Sequence, residues 1–194
     1  MRDSAKVYGP WRIHSSKMGT MTRGARVGTG TAAVRPLQEE VMALAFIPEP
    51  KNLKLREGVY PLPARGSVGI TSVDWMPAAE AVCALLPGAA VHGRAANLRD
   101  PIEIRENERL PDQGYVLDIH PKGIVIEASA PEGACHAVRT LAQVAQQSPD
   151  GALPCLRIRD WPDFPARGVT YDISRGRVPK PDRLQELGAV LGAY

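Results

Sequence analysis

The residues with the greatest chemical potential lie near the end of the chain, in residues 161–175. This segment reads Trp-Pro-Asp-Phe-Pro-Ala-Arg-Gly-Val-Thr-Tyr-Asp-Ile-Ser-Arg. Two prolines enclose an acidic–aromatic pair, and an Arg-Gly pair then opens a run of alternating residues. The guanidinium of Arg167 can donate two parallel hydrogen bonds in a fixed plane, which a lysine ammonium cannot. Taken alone, however, an arginine beside a glycine is usually a surface residue.

Other common catalytic chemistries have little support in the sequence. Ser174 has no histidine and aspartate in a recognisable triad context, so we do not expect a serine nucleophile. The four histidines lack the His-Glu-x-x-His spacing of a zinc protease, and His120 and His136 are expected at a strand end and on a helix face. The three cysteines are an odd number without Cys-x-x-Cys spacing. These patterns therefore predict neither a metal nor a cofactor.

Composition limits the classes of protein to which the chain could belong. Its 194 residues suit one domain, or one domain and a fragment of another. Residues 1–41 hold seven basic and three acidic residues, without a dense basic run or interleaved aromatics, so we predict a disordered head and no nucleic-acid partner. An apolar run long enough to cross a membrane is lacking, and no secretory signal is visible. These features favour a cytoplasmic protein without a membrane partner.

Residues 42–159 carry the pattern of an α+β domain, an antiparallel sheet with helices packed on it. The clearest element is a hairpin of residues 115–120 and 124–129 around a Pro-Lys-Gly turn. The sequence Ser-Ala-Pro-Glu at 129–132 has the form of a capping box for a helix. That helix carries an apolar stripe of Ala134, Val138, Leu141 and Ala145. Further strands are predicted at 53–56, 68–71, 89–92, 102–105 and 153–159, and a further helix at 78–86.

Beyond residue 160 the pattern predicts one more strand and one more helix. The strand is expected over residues 168–173, and the helix over residues 182–194. Leu184, Leu187, Val190 and Leu191 form the apolar side of this helix.

Several of these segments resemble the β-N-acetylhexosaminidases of glycoside hydrolase family 20. Residues 114–119 (Gly-Tyr-Val-Leu-Asp-Ile), residues 123–129 (Gly-Ile-Val-Ile-Glu-Ala-Ser), Gly133 and Thr140-Leu141 are similar to the small N-terminal domain of that family. Residues 156–160, followed by 161–175, are similar to the junction with its catalytic barrel and to the first barrel strand. The resemblance implies a zincin-like fold for residues 42–159. It also implies that residues 160–194 are a linker and the first βα unit of a truncated (β/α)₈ barrel, which needs about 250 residues in full.

The resemblance also assigns roles to individual residues. Arg167 occupies the position of the arginine that binds hydroxyls of the terminal sugar in the family, whereas Asp172 and Arg175 are expected to have structural roles. Family members use substrate assistance, in which the sugar's acetamide attacks the anomeric carbon, a glutamate protonates the leaving oxygen and the adjacent aspartate orients the acetamide. The 194 residues contain no Asp-Glu dipeptide. The resemblance therefore implies that this chain lacks the general acid, holds no catalytic residue and is inactive alone.

Three readings of the function follow. The first is an N-terminal fragment of a hydrolase that removes terminal N-acetylhexosamines from glycans. The second is a non-catalytic accessory module that packs on a partner polypeptide, because the last strand and helix lack partners. The third is a hydrolase of another family that acts on O-linked N-acetylglucosamine, against which the Asp-Ile-Ser-Arg run after Arg-Gly argues.

Overall fold

A computed structural model describes residues 44–63, 66–86, 89–93, 101–148, 151–172, 174 and 178–192. The head predicted over residues 1–41 lies outside the described residues. Seven strands and three helices follow one another along the described part of the chain, with a short 3₁₀ turn at Val73–Trp75. They are β1 (Asn52–Pro61), β2 (Ser67–Ile70), α1 (Met76–Leu85), β3 (Ala90–Gly93), β4 (Ile102–Glu106), β5 (Tyr115–His120), β6 (Gly123–Ala128), α2 (Pro131–Gln146), β7 (Ala152–Asp160) and α3 (Pro181–Leu191).

The strands form one mixed sheet in the order β1-β7-β5-β6-β4-β2-β3. Strands β1, β7, β5 and β6 are antiparallel neighbours, whereas β6, β4, β2 and β3 pair in parallel. The α+β class is therefore confirmed, but the prediction of an antiparallel sheet is wrong for half of it. Helix α1 connects β2 to β3. It returns the chain to the end of the sheet at which β2 began, as two successive parallel strands require.

One face of the sheet forms the core with α1 and α2. Apolar side chains alternate along each inner strand, and those on this face are buried. The amphipathic helix α2 turns its predicted stripe toward them, where Ala134, Val138 and Leu141 are buried and Ala145 is partly buried. Buried side chains of the sheet include Val68, Ile104, Leu117, Ile126 and Ile158.

The opposite face of the sheet carries charged side chains that pair with one another. Asp118 of β5 accepts hydrogen bonds from Arg56 at 2.8 Å and from Arg157 at 2.6 Å. On the neighbouring strands Arg105 pairs with Glu127. These charged side chains point away from the core, and this face of the sheet therefore needs no covering helix.

The start of α2 packs closely on the loop before β5. A Cβ atom on Gly133 would lie 2.6 Å from the backbone oxygen of Gly114 and 3.0 Å from that of Gln113. Only glycine permits this approach. The predicted capping box is not formed, because the helix begins at Pro131 with Ala130 as its N-cap and the Ser129 hydroxyl donates instead to the Gly114 oxygen at 3.4 Å.

The segment after β7 differs from the prediction. The described residues 168–172 form no strand, and the side chains of Val169 and Tyr171 are exposed. A strand needs a neighbour to receive its backbone hydrogen bonds, and no described strand lies beside this segment. Helix α3 forms as predicted, but none of its side chains is buried.

In the ranges that the structure describes, no helix is both long and apolar enough to cross a membrane.

Candidate functional site

A cleft with a volume of about 280 Å³ lies where the chain leaves β7 and passes over α2. Its walls are residues 48–51, one face of α2 and the junction of residues 160–167. The loop before β5 contributes Gln113 to its floor. The cleft therefore contains Arg167, the residue that the sequence singled out as a sugar ligand.

Contacts between residue 51 and the junction fix one side of the cleft. The backbone N–H of Lys51 donates to Asp160 Oδ1 at 3.2 Å, and its ammonium lies 2.5 Å from Asp163 Oδ1. The same ammonium lies 5.5 Å from the ring centre of Trp161, and the guanidinium of Arg159 lies 5.6 Å from it. Two cations at this distance stabilise the aromatic ring. The aromatic and acidic residues of the junction motif thus anchor it to the first domain.

Arg167 lies over α2. Its Nη1 donates to the backbone oxygen of Phe164 at 2.6 Å. Its Nη2 lies 3.2 Å from His136 Nε2 and 3.4 Å from Gln113 Oε1. The side chain is exposed, so its remaining donors are accessible to a ligand. The binding of sugar hydroxyls by Arg167 stays a prediction.

Gln113 holds the junction from the other side, which sequence reasoning missed. Its side-chain amide donates to the Pro165 oxygen at 2.8 Å. Its backbone has φ of 55°, a left-handed conformation that a non-glycine residue adopts at a cost of about 1–3 kcal/mol. Close packing on Gly133 keeps the backbone there. The sequence Pro-Asp-Gln-Gly at 111–114 is typical of a turn, but it does not give the direction of this side chain.

His136 lies on a helix face as expected, but it faces the cleft. Arg139 Nη1 lies 3.1 Å from its Nδ1, so both ring nitrogens face a guanidinium. Burial lowers the pKa of His136 below its ordinary value, and the cations of Arg139 and Arg167 lower that pKa further, against opposing effects of Asp160 and Glu132. These effects together favour the neutral form of the imidazole.

Removing one of these cations is expected to raise the pKa of His136. In Arg139→Gln the imidazolium no longer meets a positive charge at its Nδ1, so protonation becomes easier and the pKa moves up toward its ordinary value. An NMR titration of the ring protons measures this change. Arg109→Gln, on an exposed loop residue, serves as the matched control and leaves the His136 titration unchanged. An unchanged or lower pKa in Arg139→Gln would contradict the contact.

Two polar residues after the junction, Asp172 and Ser174, contact each other. Ser174 donates to Asp172 Oδ1 from its backbone N–H at 2.8 Å and from its hydroxyl at 2.5 Å. These hydrogen bonds lower the pKa of Asp172, and its structural role stays a prediction. Arg175 lies outside the described residues. Where side chains are described, no group of three or more His, Cys, Asp or Glu residues could hold a metal ion.

Comparisons with known proteins agree with this architecture. Residues 43–161 match the family model described as glycosyl hydrolase family 20, domain 2. A β-N-acetylhexosaminidase of Cellulomonas fimi is 30% identical over 144 residues, which cover 68% of this chain and 29% of that protein. A β-hexosaminidase of Vibrio furnissii is 28% identical over 141 residues, which cover 70% and 22%. This chain thus spans less than a third of the length of these relatives.

Solved structures show the same fold. A family 20 exo-β-N-acetylglucosaminidase of Vibrio harveyi, in complex with N-acetylglucosamine, superposes with a TM-score of 0.60 at 21% identity, over 76% of this chain and 23% of that one. The N-acetyl-β-hexosaminidase of Streptomyces plicatus gives a TM-score of 0.53 at 22% identity, over 61% and 26%.

Proposed function

This chain belongs to glycosyl hydrolase family 20, and we propose that it is the N-terminal part of a β-N-acetylhexosaminidase-like enzyme. Residues 42–159 supply the supporting domain, and residues 160–194 supply the linker and the first βα unit of the catalytic barrel. The intact enzyme removes terminal N-acetylhexosamines from glycans by substrate-assisted retaining hydrolysis.

The observation that carries this proposal is the family match over residues 43–161, followed six residues later by the Arg-Gly pair. Contacts of the junction with Lys51, Gln113 and α2 hold these residues against the matched domain. In the intact enzyme, neighbouring barrel strands would pair with residues 168–172, whose apolar side chains are exposed here. Arg167 would then point its planar set of donors at vicinal hydroxyls of the sugar.

The chain alone is expected to be catalytically silent. Protonation of the leaving oxygen needs a positioned carboxylic acid, and stabilisation of the acetamide needs a second carboxylate beside it. The Asp-Glu pair that supplies both in the family is absent from the sequence. The purified chain should therefore release no nitrophenol from 4-nitrophenyl N-acetyl-β-D-glucosaminide, and measurable turnover that Arg167→Ala abolishes would contradict the proposal.

A chimaera tests the positive part of the proposal. Residues 44–167 replace the corresponding part of the Cellulomonas fimi enzyme, and hydrolysis of the same substrate is measured. The chimaera is expected to be active. Arg167→Ala in it should lower kcat/KM about 10- to 100-fold, because hydrogen bonds to a charged group contribute about 1.5–3 kcal/mol.

Arg109→Ala is the matched control, since it removes an exposed arginine far along the chain from the junction. A folded but inactive chimaera would contradict the equivalence of the two domains. An active chimaera that is indifferent to Arg167→Ala would contradict the role of that arginine.

A second candidate is a non-catalytic module that packs on another polypeptide. The exposed apolar side chains of the last unit, Val169, Tyr171, Leu184 and Leu191, favour it. The reading frame beyond codon 194 distinguishes the two. An in-frame continuation with an Asp-Glu pair supports the hydrolase, and a stop codon in an intact gene supports the module.

A further inference from the structure

Strand β1 lies at an edge of the sheet. In the described part of the chain it pairs with β7 alone, so the backbone groups along its other side are available to a further strand. Residues 52–55 keep an unbroken register with residues 156–159, and the register shifts between Leu55 and Val59. The regular part of the edge is therefore its first half, whereas the second half is bulged around Gly58, which has a φ of 99°.

One face of this edge is apolar and only partly covered. Leu53 stands opposite the buried Ile158 of β7. Leu55 stands opposite the buried Leu156, so both leucines of β1 lie on the face that carries the core. They nevertheless remain 38% and 36% exposed, and Leu53 also borders a hollow of about 310 Å³. Apolar side chains on an added strand would cover this surface.

The other face of the edge is cationic. On β1 and β7 it carries Lys54, Arg56, Arg157 and Arg159. Asp118 of β5 pairs with Arg56 and Arg157. No ion pair of the described residues includes Lys54 or Arg159, and both side chains are exposed. One carboxylate thus faces four cations, and the remaining positive charge favours acidic side chains on an added strand.

We propose that the edge of β1 at residues 52–56 binds an extended segment of a partner protein in which acidic residues alternate with apolar ones. In such strand addition, backbone hydrogen bonds supply affinity and alternate side chains supply specificity. The apolar side chains of the partner lie beside Leu53 and Leu55, and the acidic ones lie beside Lys54 and Arg56. The inference goes beyond the proposed function, because it requires neither hydrolysis nor a sugar.

A second copy of this chain fits the edge less well. Antiparallel pairing of two copies centred on residue 54 places Lys54 opposite Lys54. Pairing centred on residue 55 places Lys54 opposite Arg56. Like charges directly opposite each other destabilise a strand pair, so charge favours an acidic partner over self-association.

Peptide binding to the 194-residue chain tests the proposal. The probe is Ser-Glu-Val-Glu-Val-Glu-Ser, acetylated and amidated at its ends, and its addition should shift and saturate the amide NMR signals of residues 52–56. A peptide with lysines in place of the glutamates should bind about tenfold more weakly or less. A peptide with prolines in place of the valines keeps the charge but cannot pair as a strand, and it should lose as much. Equal binding of the proline peptide, or shifts confined to other residues, would overturn the proposal.

A charge reversal ties the binding to β1. In Lys54→Glu, the glutamate peptide should bind about three- to tenfold more weakly, because one cross-strand pair turns from attractive to repulsive. The lysine peptide should bind this variant more tightly than it binds the parent chain. Arg109→Glu, which reverses one exposed loop charge outside β1 and β7, is the matched control and should leave both affinities unchanged. Equal weakening in the two variants would reduce the effect to net charge and overturn the site.

Sedimentation of the chain without peptide tests the other occupant. A dimer whose formation shifts the amide signals of residues 52–56 would identify a second copy at this edge and overturn the acidic partner. The peptide series uses the parent chain, so it decides the proposal even if Lys54→Glu were to unfold. Failure of peptide binding would leave the hydrolase proposal and its chimaera test unaffected.

Discussion

Replacing Leu117 with alanine is expected to lower the free energy of unfolding of the domain by about 2–5 kcal/mol. Leu117 is fully buried on β5, near the middle of the sheet. It stands opposite Ile126 of β6 and Ile158 of β7, both fully buried. The substitution removes apolar contacts on both sides and leaves a cavity that strands held by their hydrogen bonds cannot close.

Urea unfolding followed by circular dichroism measures this loss. Leu184→Ala is the matched control, because Leu184 is 43% exposed on α3 and packs on no core. It should change the unfolding free energy by no more than about 0.5 kcal/mol, as surface substitutions usually do. Equal losses at the two positions would show that β5 is not the centre of the core.

Gly133→Ala is expected to destabilise the domain by about 1–3 kcal/mol, the usual cost of an overpacked site. The added Cβ would meet two backbone oxygens, those of Gly114 and Gln113, at 2.6 and 3.0 Å. Backbone atoms cannot rotate away as a side chain can, so α2 or the loop before β5 must shift. The same shift would move Gln113, and with it the hydrogen bond to the Pro165 oxygen.

The control for this change is Gly188→Ala on α3, where an added Cβ finds nothing within 4 Å. Alanine in place of a helical glycine favours the helix by about 0.5–1 kcal/mol, so α3 should gain helicity while the unfolding of the domain is unchanged. Chemical unfolding gives the stability of both variants, and amide NMR shifts of residues 164–167 report on the junction. A Gly133→Ala domain as stable as its parent would contradict the close approach of α2.

The local sequence pattern predicted an element correctly where that element depends only on residues close together along the chain. The hairpin of β5 and β6 matches its prediction because its alternation and its turn lie within about a dozen residues. The prediction of a capping box from the Ser-x-x-Glu pattern at 129–132 was wrong, because this pattern does not determine which group the Ser129 hydroxyl contacts. The Ser129 hydroxyl could cap the helix or bond the Gly114 oxygen, and the close packing of Gly133 on that loop brings the oxygen within reach.

Strand direction could not be derived in the same way. Alternation at residues 68–70 and 102–104 shows which side chains are buried, but both directions of pairing bury the same side chains. The parallel pairing of β2 and β4 depends on the connection through α1 and β3, which no single segment encodes. The prediction of a strand at 168–173 was wrong for a related reason. An alternating sequence does not by itself provide a neighbouring strand with which the segment can pair.

The candidate site was predictable only in part. The junction motif drew attention to Arg167, and the structure places it in the cleft. Its neighbours Gln113 and His136 are 54 and 31 residues away along the chain. No local sequence pattern places either residue in the cleft. The left-handed backbone at Gln113 and the packing of α2 that orients His136 exist only in the folded domain.

The pairing of β1 with β7 affects how the protein is made. In the described part of the chain, β1 hydrogen-bonds to one strand only, and the first residues of these two strands are Asn52 and Ala152. At about 5–20 residues per second, a ribosome needs about 5–20 s to produce the partner after β1 has been made. During that interval the backbone N–H and C=O groups of β1 have no strand to pair with, and Tyr60, which is buried in the folded domain, is uncovered. The later hairpin, by contrast, can form as soon as it emerges. The nascent chain is therefore most vulnerable to self-association at its first strand, and a chaperone that binds extended apolar segments would act there.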